Sequence, residues 1–138
     1  MHGRRTVLML HDRKESLSQL ARDLKKYNID SVYATSCAEA LKILGDSDPP
    51  QIVFTDLTIS DGSWADALLL SQKSPVPVSL IVMSDVPDLC LCKAATACGA
   101  FGVTVPPLSA DELQELVQPA SEESARRRGE KVALAKAA

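Results

Sequence analysis

Short apolar runs alternate with segments of helical periodicity along most of the chain. The first run, 6–10, is of the kind found in a strand that is buried on both faces of a parallel sheet. The segment behind it repeats apolar residues at the spacing i, i+3, i+4, i+7 of one helix face, at Leu17, Leu20, Ala21 and Leu24. Four more apolar runs predict strands at 31–34, 51–55, 79–83 and 102–105. Five strand–helix units with short connections predict an α/β domain whose parallel sheet is covered by helices on both faces.

Capping residues indicate where the other helices begin and end. The segment 36–39 has capping-box spacing and precedes a helix that we expect to end at Gly45. Further helices are predicted over 64–72 and from Pro87 to Ala97, before Gly99. A second capping box, 109–112, starts the last helix of the domain, whose predicted buried residues are Leu113, Leu116 and Val117.

The pattern changes after residue 118. We therefore expect one domain over 1–118, followed by a C-terminal linker or helical extension over 119–138 in which no comparable apolar face continues. Three arginines, 126–128, lie among glutamates in this extension. Mixed charges of this kind favour a solvated segment over a contact with nucleic acid.

Composition and charge narrow the functional classes. A chain of 138 residues, 46% hydrophobic and 24% charged, fits one globular domain. A net charge of -3 gives no general attraction to nucleic acid or to an anionic membrane. No apolar stretch reaches the ~20 residues that a spanning helix needs. The apolar run behind the basic start is too short for a secretory signal, so we expect a cytoplasmic protein.

Polar residues follow three of the predicted strands at their carboxyl ends. His11 and Asp12 follow the first strand, Asp56 ends the third, and Ser84 and Asp85 follow the fourth. Each of them alone would suit a turn or a helix cap. Because the carboxyl ends of parallel strands meet at one edge of the sheet, however, the coincidence of all three favours a site there.

Such a cluster has the chemistry of phosphoryl transfer. Mg²⁺ prefers hard oxygen ligands, and it usually takes only one or two carboxylates and keeps several waters. A carboxylate can attack phosphorus when nearby groups neutralise the transferring oxygens. On this interpretation Asp12 holds the metal, Asp56 is the nucleophile and the Ser84 hydroxyl donates to a phosphoryl oxygen.

The order and spacing of these segments resemble the receiver domain of bacterial two-component response regulators. The resemblance covers about residues 5–118 and lies in the first strand up to Asp12, in 52–57 with Asp61-Gly62, in Ser84 and in 99–108. It implies a flavodoxin-like (βα)5 three-layer sandwich with the five-stranded parallel sheet in the order 2-1-3-4-5. It implies phosphorelay signalling and no enzyme: Asp56 would accept phosphate from a histidine kinase or phosphotransfer protein. Asp12, Asp56 and the backbone carbonyl of Thr58 would bind Mg²⁺.

Four positions depart from the pattern of that family. Pro106 stands where the family has a lysine that neutralises the phosphoryl oxygens, and proline has neither a charge nor a donor. Val103 stands where an aromatic residue usually changes position on activation. His11 replaces the first of two acids, and Asp85 replaces the small residue that usually follows the serine. The loop behind Asp56 is also about two residues short of the family's usual form and lacks its proline.

These departures support an alternative function. A pseudo-receiver would act as a phosphorylation-independent interaction module. Its binding face would be formed by the fourth helix, fifth strand and fifth helix, and its partner would be an output domain or a second copy of the chain. The segment 90–97, rich in small and apolar residues, fits such a contact, although it also fits packing on the sheet.

Other classes of site find less support. The four cysteines, Cys37, Cys90, Cys92 and Cys98, lack the spacing of common zinc sites, so we expect reduced thiols that pack like small apolar residues. The segment 11–15 is not the glycine-rich phosphate loop that a nucleotide or flavin would need. The sequence shows no arrangement of Ser, His and Asp that would predict a hydrolase.

Overall fold

The computed structural model describes residues 5–11, 14–46, 49–106 and 108–137. Its elements in chain order are β1 (Arg5–Leu10), α1 (Lys14–Lys26), β2 (Ile29–Ala34), α2 (Cys37–Leu44), β3 (Ile52–Asp56), β4 (Thr58–Ile59), β5 (Gly62–Ser63), α3 (Trp64–Lys73), β6 (Ser79–Met83), α4 (Leu89–Cys98), β7 (Gly102–Thr104) and α5 (Ala110–Ala137). Within these residues, no helix has the length and apolar character needed to cross a membrane.

Five strands form one parallel sheet in the order β2-β1-β3-β6-β7. The two-residue strands β4 and β5 pair with each other as a separate antiparallel hairpin. Counted without that hairpin, the sheet has the order 2-1-3-4-5, and the predicted flavodoxin-like fold class is confirmed. The hairpin replaces the loop that the sequence predicts between Thr58 and Ser63.

Alternate strand residues point to opposite faces of the sheet, and each face has its own core. One core packs β-strand residues against α2, α3 and α4, and includes Leu8, Leu10, Val53, Leu80, Val82, Ala40, Leu68 and Ala95. The other packs against α1 and α5, and includes Val7, Met9, Ile52, Phe54, Ile81, Leu24, Leu113 and Val117. The central strands are therefore buried on both sides, which explains why their sequences are continuously apolar.

The helix caps follow the sequence closely. The hydroxyls of Ser36 and Ser109 each accept a hydrogen bond from the amide three residues on, both at 3.1 Å, so both predicted caps are confirmed. The fourth helix begins at Leu89, two residues after the predicted start, because the Asp88 carboxylate accepts from the Leu91 amide at 3.0 Å. It ends at Gly99 as predicted.

The last helix extends beyond residue 118, the predicted end of the domain. Helix α5 passes through residue 118 without a break and has Pro119 inside it. Leu113 and Val117 are buried as predicted, whereas Leu116 is only partly buried. Behind the proline, Ala120, Ser121 and Ser124 are also buried, so this part of the helix packs on the domain and is not a solvated face. The domain boundary at 118 stays a prediction.

Candidate functional site at the carboxyl edge of the sheet

The register of the sheet aligns the polar residues that follow its strands. Leu10 lies opposite Thr55, so His11 follows β1 at the level of Asp56 on β3. Asp56 in turn lies opposite Met83, and Ser84 follows directly. His11, Asp56 and Ser84 therefore lie at the carboxyl ends of three adjacent strands, at one edge of the sheet. Their chemical roles stay predictions.

Asp56 is the last residue of β3 and is partly buried. The residue before it, Thr55, is fully buried, and its hydroxyl donates to the backbone carbonyl of Asp56 at 3.0 Å. The buried Thr55 thus holds the backbone of Asp56 in place. The Asp56 carboxylate lies at the end of the strand, where β3 leaves the core.

Ser84 has a local partner for its hydroxyl. Its side chain is 3% exposed, and its Oγ donates to the backbone carbonyl of Val86 at 2.6 Å and accepts from the Val86 amide at 3.4 Å. Its own amide donates to the carbonyl of Thr104 at 2.8 Å. The hydroxyl proton that would serve a phosphoryl oxygen is therefore used to close the turn between β6 and α4.

His11 is a buried ring and not a surface ligand. It is 1% exposed, and its amide donates to the carbonyl of Ala34 at 2.9 Å. Its ring meets the ring of Tyr33 edge-on, with the centroids 5.7 Å apart. Its Nδ1 has no hydrogen-bond partner within the part of the chain that the structure describes. A packed ring thus takes the place of the family's first acid.

The predicted Mg²⁺ ligands are described only in part. Asp12 lies outside the described residues, so of the predicted set the structure describes the carboxylate of Asp56 and the backbone at Thr58. Over 5–11, 14–46, 49–106 and 108–137, no group of three His, Cys, Asp or Glu side chains is placed to hold a metal ion.

The remaining departures lie around the same edge. Asp85 is exposed beside Ser84, and Val103 and Pro106 are partly buried on the β7 side. The sequence from 105 to 109 contains no basic residue. This edge therefore has an additional carboxylate and, at the family's lysine position, no cation.

The short hairpin behind Asp56 is fastened to the neighbouring loop. Asp61 accepts hydrogen bonds from the amides of Cys37 and Ala38, at 2.7 and 3.3 Å, and so caps the first turn of α2. The Ser60 hydroxyl donates to the carbonyl of Thr35 at 2.9 Å. The positive end of the helix dipole favours a carboxylate at this place.

This contact shifts the pKa of both its side chains. The Cys37 amide, and then the Ala38 amide, lower the pKa of Asp61 below its ordinary value. Burial, and then the charges of Asp61 and Asp66, raise the pKa of the Cys37 thiol to about 11. The thiol therefore stays protonated at neutral pH. Sequence reasoning did not find this contact; the only sign of it was an aspartate in a loop that the fold brings beside a helix start.

A cleft of about 290 Å³ lies elsewhere, between the turn from α1 to β2 and helix α5. It is lined by Tyr27, Asn28, Ile29, Leu113, Gln114, Val117 and Gln118. Because β2 begins at Ile29, the cleft lies toward the amino-terminal edge of the sheet, away from Asp56. It contains none of the residues of the predicted site.

Solved structures of receiver domains have the same fold as this chain. The signal receiver domain of a Luxo repressor protein from Vibrio parahaemolyticus is 24% identical, with a TM-score of 0.75, over 88% of this chain and 93% of that one. The beryllofluoride-activated NtrC4 receiver domain dimer is 22% identical, with a TM-score of 0.73, over 86% and 98%. NtrX from Brucella abortus is 20% identical, with a TM-score of 0.78, over 93% of this chain and 30% of that one.

No protein-family model and no curated protein matches the sequence. The identities to the solved structures are low, so the likeness concerns the fold. The chain has the receiver fold, and its function is argued from its own residues.

Proposed function

We propose that this chain, which has the receiver fold, is a signalling module that binds a protein partner without needing phosphate on Asp56. The observation that carries the proposal is the Ser84 hydroxyl, whose proton is donated to the Val86 carbonyl at 2.6 Å. In this arrangement the group expected to hold a phosphoryl oxygen belongs to a closed turn. The fold likeness supports the signalling role, and the carboxyl edge supports its independence from phosphate.

Charge at the carboxyl edge supports the same conclusion. A phosphoryl group on a carboxylate brings negative charge that must be neutralised during transfer. Removing one such electrostatic group from an active site commonly costs 10²–10³ in rate. Pro106 supplies no cation, and the exposed carboxylate of Asp85 adds like charge. Phosphorylation by a kinase would therefore be slow at this edge.

The face formed by α4, β7 and α5 is the proposed partner surface. At the start of α4, Leu89 is 68% exposed and Cys90 is exposed, while Leu91 and Val103 are partly buried. The partner would be a second copy or an output domain. NtrC4 forms a receiver dimer, and NtrX is a much longer chain than its matched part.

The second candidate is phosphorelay signalling through Asp56. The observation that favours it is the position of Asp56, which is partly buried at the end of β3. Asp56 lies opposite Met83, the residue before Ser84. A histidine kinase or phosphotransfer protein would supply the phosphate. Mg²⁺ would be bound by Asp12, Asp56 and the backbone carbonyl of Thr58. The Ser84 hydroxyl would have to leave the Val86 carbonyl to take part.

One experiment separates the two candidates. The full chain is mixed with Mg²⁺ and acetyl phosphate, or with Mg²⁺ and beryllofluoride, and followed by intact mass and two-dimensional amide NMR. Asp56→Ala is the control. We expect no phosphoryl adduct and no amide shifts around Asp56. An adduct or shifts in the wild type that are absent from Asp56→Ala would replace the first candidate with the second.

The partner surface has a test of its own. Light scattering after size-exclusion chromatography compares the wild type with Leu89→Asp and with Leu69→Asp, a control whose leucine is 53% exposed on helix α3. If the partner is a second copy, Leu89→Asp gives a monomer and Leu69→Asp stays dimeric. A monomeric wild type excludes the second copy and leaves an output domain as the proposed partner.

A further inference from the structure

A part of α5 beyond the predicted domain is bonded to the amino-terminal edge of the sheet. We name residues 120–128 the strap. The Ser79 hydroxyl donates to the carbonyl of Ala120 at 2.9 Å and lies 2.7 Å from the Ser124 hydroxyl. The Ser124 hydroxyl donates to the carbonyl of Gln51 at 2.7 Å. Next to it, the Ser121 hydroxyl donates to Oε1 of Gln51 at 2.6 Å.

Arg128 extends these contacts beyond the end of the sheet. Its Nε donates to the carbonyl of Pro77 at 2.8 Å, and a terminal guanidinium nitrogen donates to the carbonyl of Pro50 at 3.0 Å. The same nitrogen is 3.5 Å from the carbonyl of Pro49. One side chain thus bonds to the two segments that lead into β3 and β6, and hydrogen bonds from a charged donor are the stronger kind.

The three serine residues of these contacts are shielded from water, and Arg128 is partly buried. Ser79 is 3% exposed, Ser121 7% and Ser124 0%. Buried hydroxyls that have partners fix a unique arrangement, and the same hydroxyls without partners are costly. A partial shift of the strap would leave buried polar groups without partners, so these hydrogen bonds favour a single docked arrangement.

The strap holds the two strands that carry the candidate site. Gln51 directly precedes β3, whose last residue is Asp56. Ser79 is the first residue of β6, which ends just before Ser84. The strands are paired from Ile52 opposite Ser79 to Asp56 opposite Met83. The strap is therefore bonded to the amino-terminal ends of the two strands whose carboxyl ends are Asp56 and Met83, the residue before Ser84.

We propose that the strap is a latch that couples the carboxyl edge of the sheet to the direction of the C-terminal helix. A partner or ligand that shifts β3 against β6 at Asp56 and Ser84 releases the strap. By the reciprocity of linked equilibria, releasing the strap changes the carboxyl edge as well. The device does not use the aromatic switch position, which is Val103, or the lysine position, which is Pro106. It goes beyond the proposed function, whose partner surface is the face of α4, β7 and α5, because it takes the carboxyl edge as a second place where a partner or ligand acts.

The test measures amide hydrogen exchange and amide shifts of the full chain by NMR, with no phosphodonor. It compares the wild type with Arg128→Ala, Ser124→Ala and the matched control Arg127→Ala, which removes an exposed arginine of the same helix. In the wild type, amides of the strap exchange more slowly than those of residues 131–137. Arg128→Ala and Ser124→Ala speed exchange in the strap by about tenfold, as expected when a buried or charged hydrogen bond is lost. Arg127→Ala leaves it unchanged.

The coupling has a separate readout at the other edge. Arg128→Ala shifts the amides of Asp56 and Ser84, and Arg127→Ala does not. Shifts confined to the strap would overturn the coupling, and strap exchange as fast as that of 131–137 in the wild type would overturn the docked latch itself. Because the wild-type comparison needs no substitution, a variant that fails to fold does not decide the result. A phosphoryl adduct on Asp56 would overturn the proposed function and leave these readouts intact.

Discussion

The carboxylate of Asp61 accepts a hydrogen bond from the backbone amide of Cys37 at 2.7 Å, and this bond joins the hairpin behind β3 to the first turn of α2. The two residues are 24 positions apart in the sequence. The contact fixes the hairpin that contains Thr58, and it makes the stability of the fold sensitive to acid.

The substitution Asp61→Ala should make the free energy of unfolding less sensitive to acid. The pKa of Asp61 is lowered in the folded chain from its ordinary value of 3.8. Its contribution is therefore complete above about pH 4 and is lost as the pH falls through the folded pKa. Urea unfolding between pH 7 and pH 2.5 should show that the variant loses less stability on acidification than the wild type. Asp85→Ala, which removes an exposed acid outside any cap, should keep the wild-type slope.

Alkylation should rank the thiols of the chain. The pKa of Cys37 is raised from 9.0 to about 11, so at pH 8 its thiolate fraction is about 100 times lower than that of an ordinary thiol. Iodoacetamide followed by peptide mass spectrometry should modify Cys90 and Cys98, which are exposed, well before Cys37. Asp61→Ala should speed the reaction at Cys37, since it removes a neighbouring charge. Equal rates at all three thiols would contradict the assignment.

Replacing Gly99 or Gly129 with alanine should change the free energy of unfolding in opposite directions. Gly99 ends α4 with a φ of 113°, and a Cβ there would lie 2.7 Å from Nε2 of Gln72, which donates to the Cys98 carbonyl at 2.8 Å. Gly99→Ala should therefore destabilise the fold by about 1–2 kcal/mol. Gly129 lies inside α5 with nothing within 4 Å of the added Cβ, so Gly129→Ala should stabilise it by about 0.5–1 kcal/mol. Thermal unfolding of both variants against the wild type checks the two signs.

Pro106→Lys should restore part of the phosphoacceptor chemistry. The substitution supplies a cation at the position where the family has its lysine, and a single electrostatic group of this kind is commonly worth about 10²–10³ in rate. We expect measurable labelling of Asp56 by acetyl phosphate with Mg²⁺ in the variant, read as intact mass, with Asp56→Ala/Pro106→Lys as the control. If the variant stays unlabelled, the missing cation is not by itself what prevents the reaction, and the closed turn at Ser84 is the next group to test.

The sheet was predictable from the sequence because its strands are buried on both faces. A run such as Val7–Leu10 has no polar residue to confuse its assignment, and the capping serines at 36 and 109 mark helix starts by local chemistry alone. The carboxyl-edge position of Asp56 followed from the same pattern. Errors at element ends, such as the start of α4, came from a cap at Asp88 that lies one residue beyond a proline.

The strap and the Asp61 contact were not predictable in this way. The spacing 113, 117, 120, 124, 128 continues one helix face, but its last two members are serine and arginine, so the apolar pattern ends at Ala120. Ser124 is buried and Arg128 is partly buried, and distant backbone carbonyls accept their hydrogen bonds. The Asp61 contact likewise depends on a loop meeting a helix 24 positions away. Only the folded sheet brings such groups together.

Helix α5 runs from the carboxyl edge of the sheet to beyond its amino-terminal edge. A helix of 28 residues is about 42 Å long, which is more than twice the length of the five-residue strands β3 and β6. It starts behind β7 at the carboxyl edge and has already passed the amino-terminal edge when Arg128 reaches the carbonyls of Pro77 and Pro50. Residues 129–137 therefore project on the side opposite Asp56. A protein that approaches the carboxyl edge meets no obstruction from that end of the helix, and two different macromolecules could occupy the two ends simultaneously.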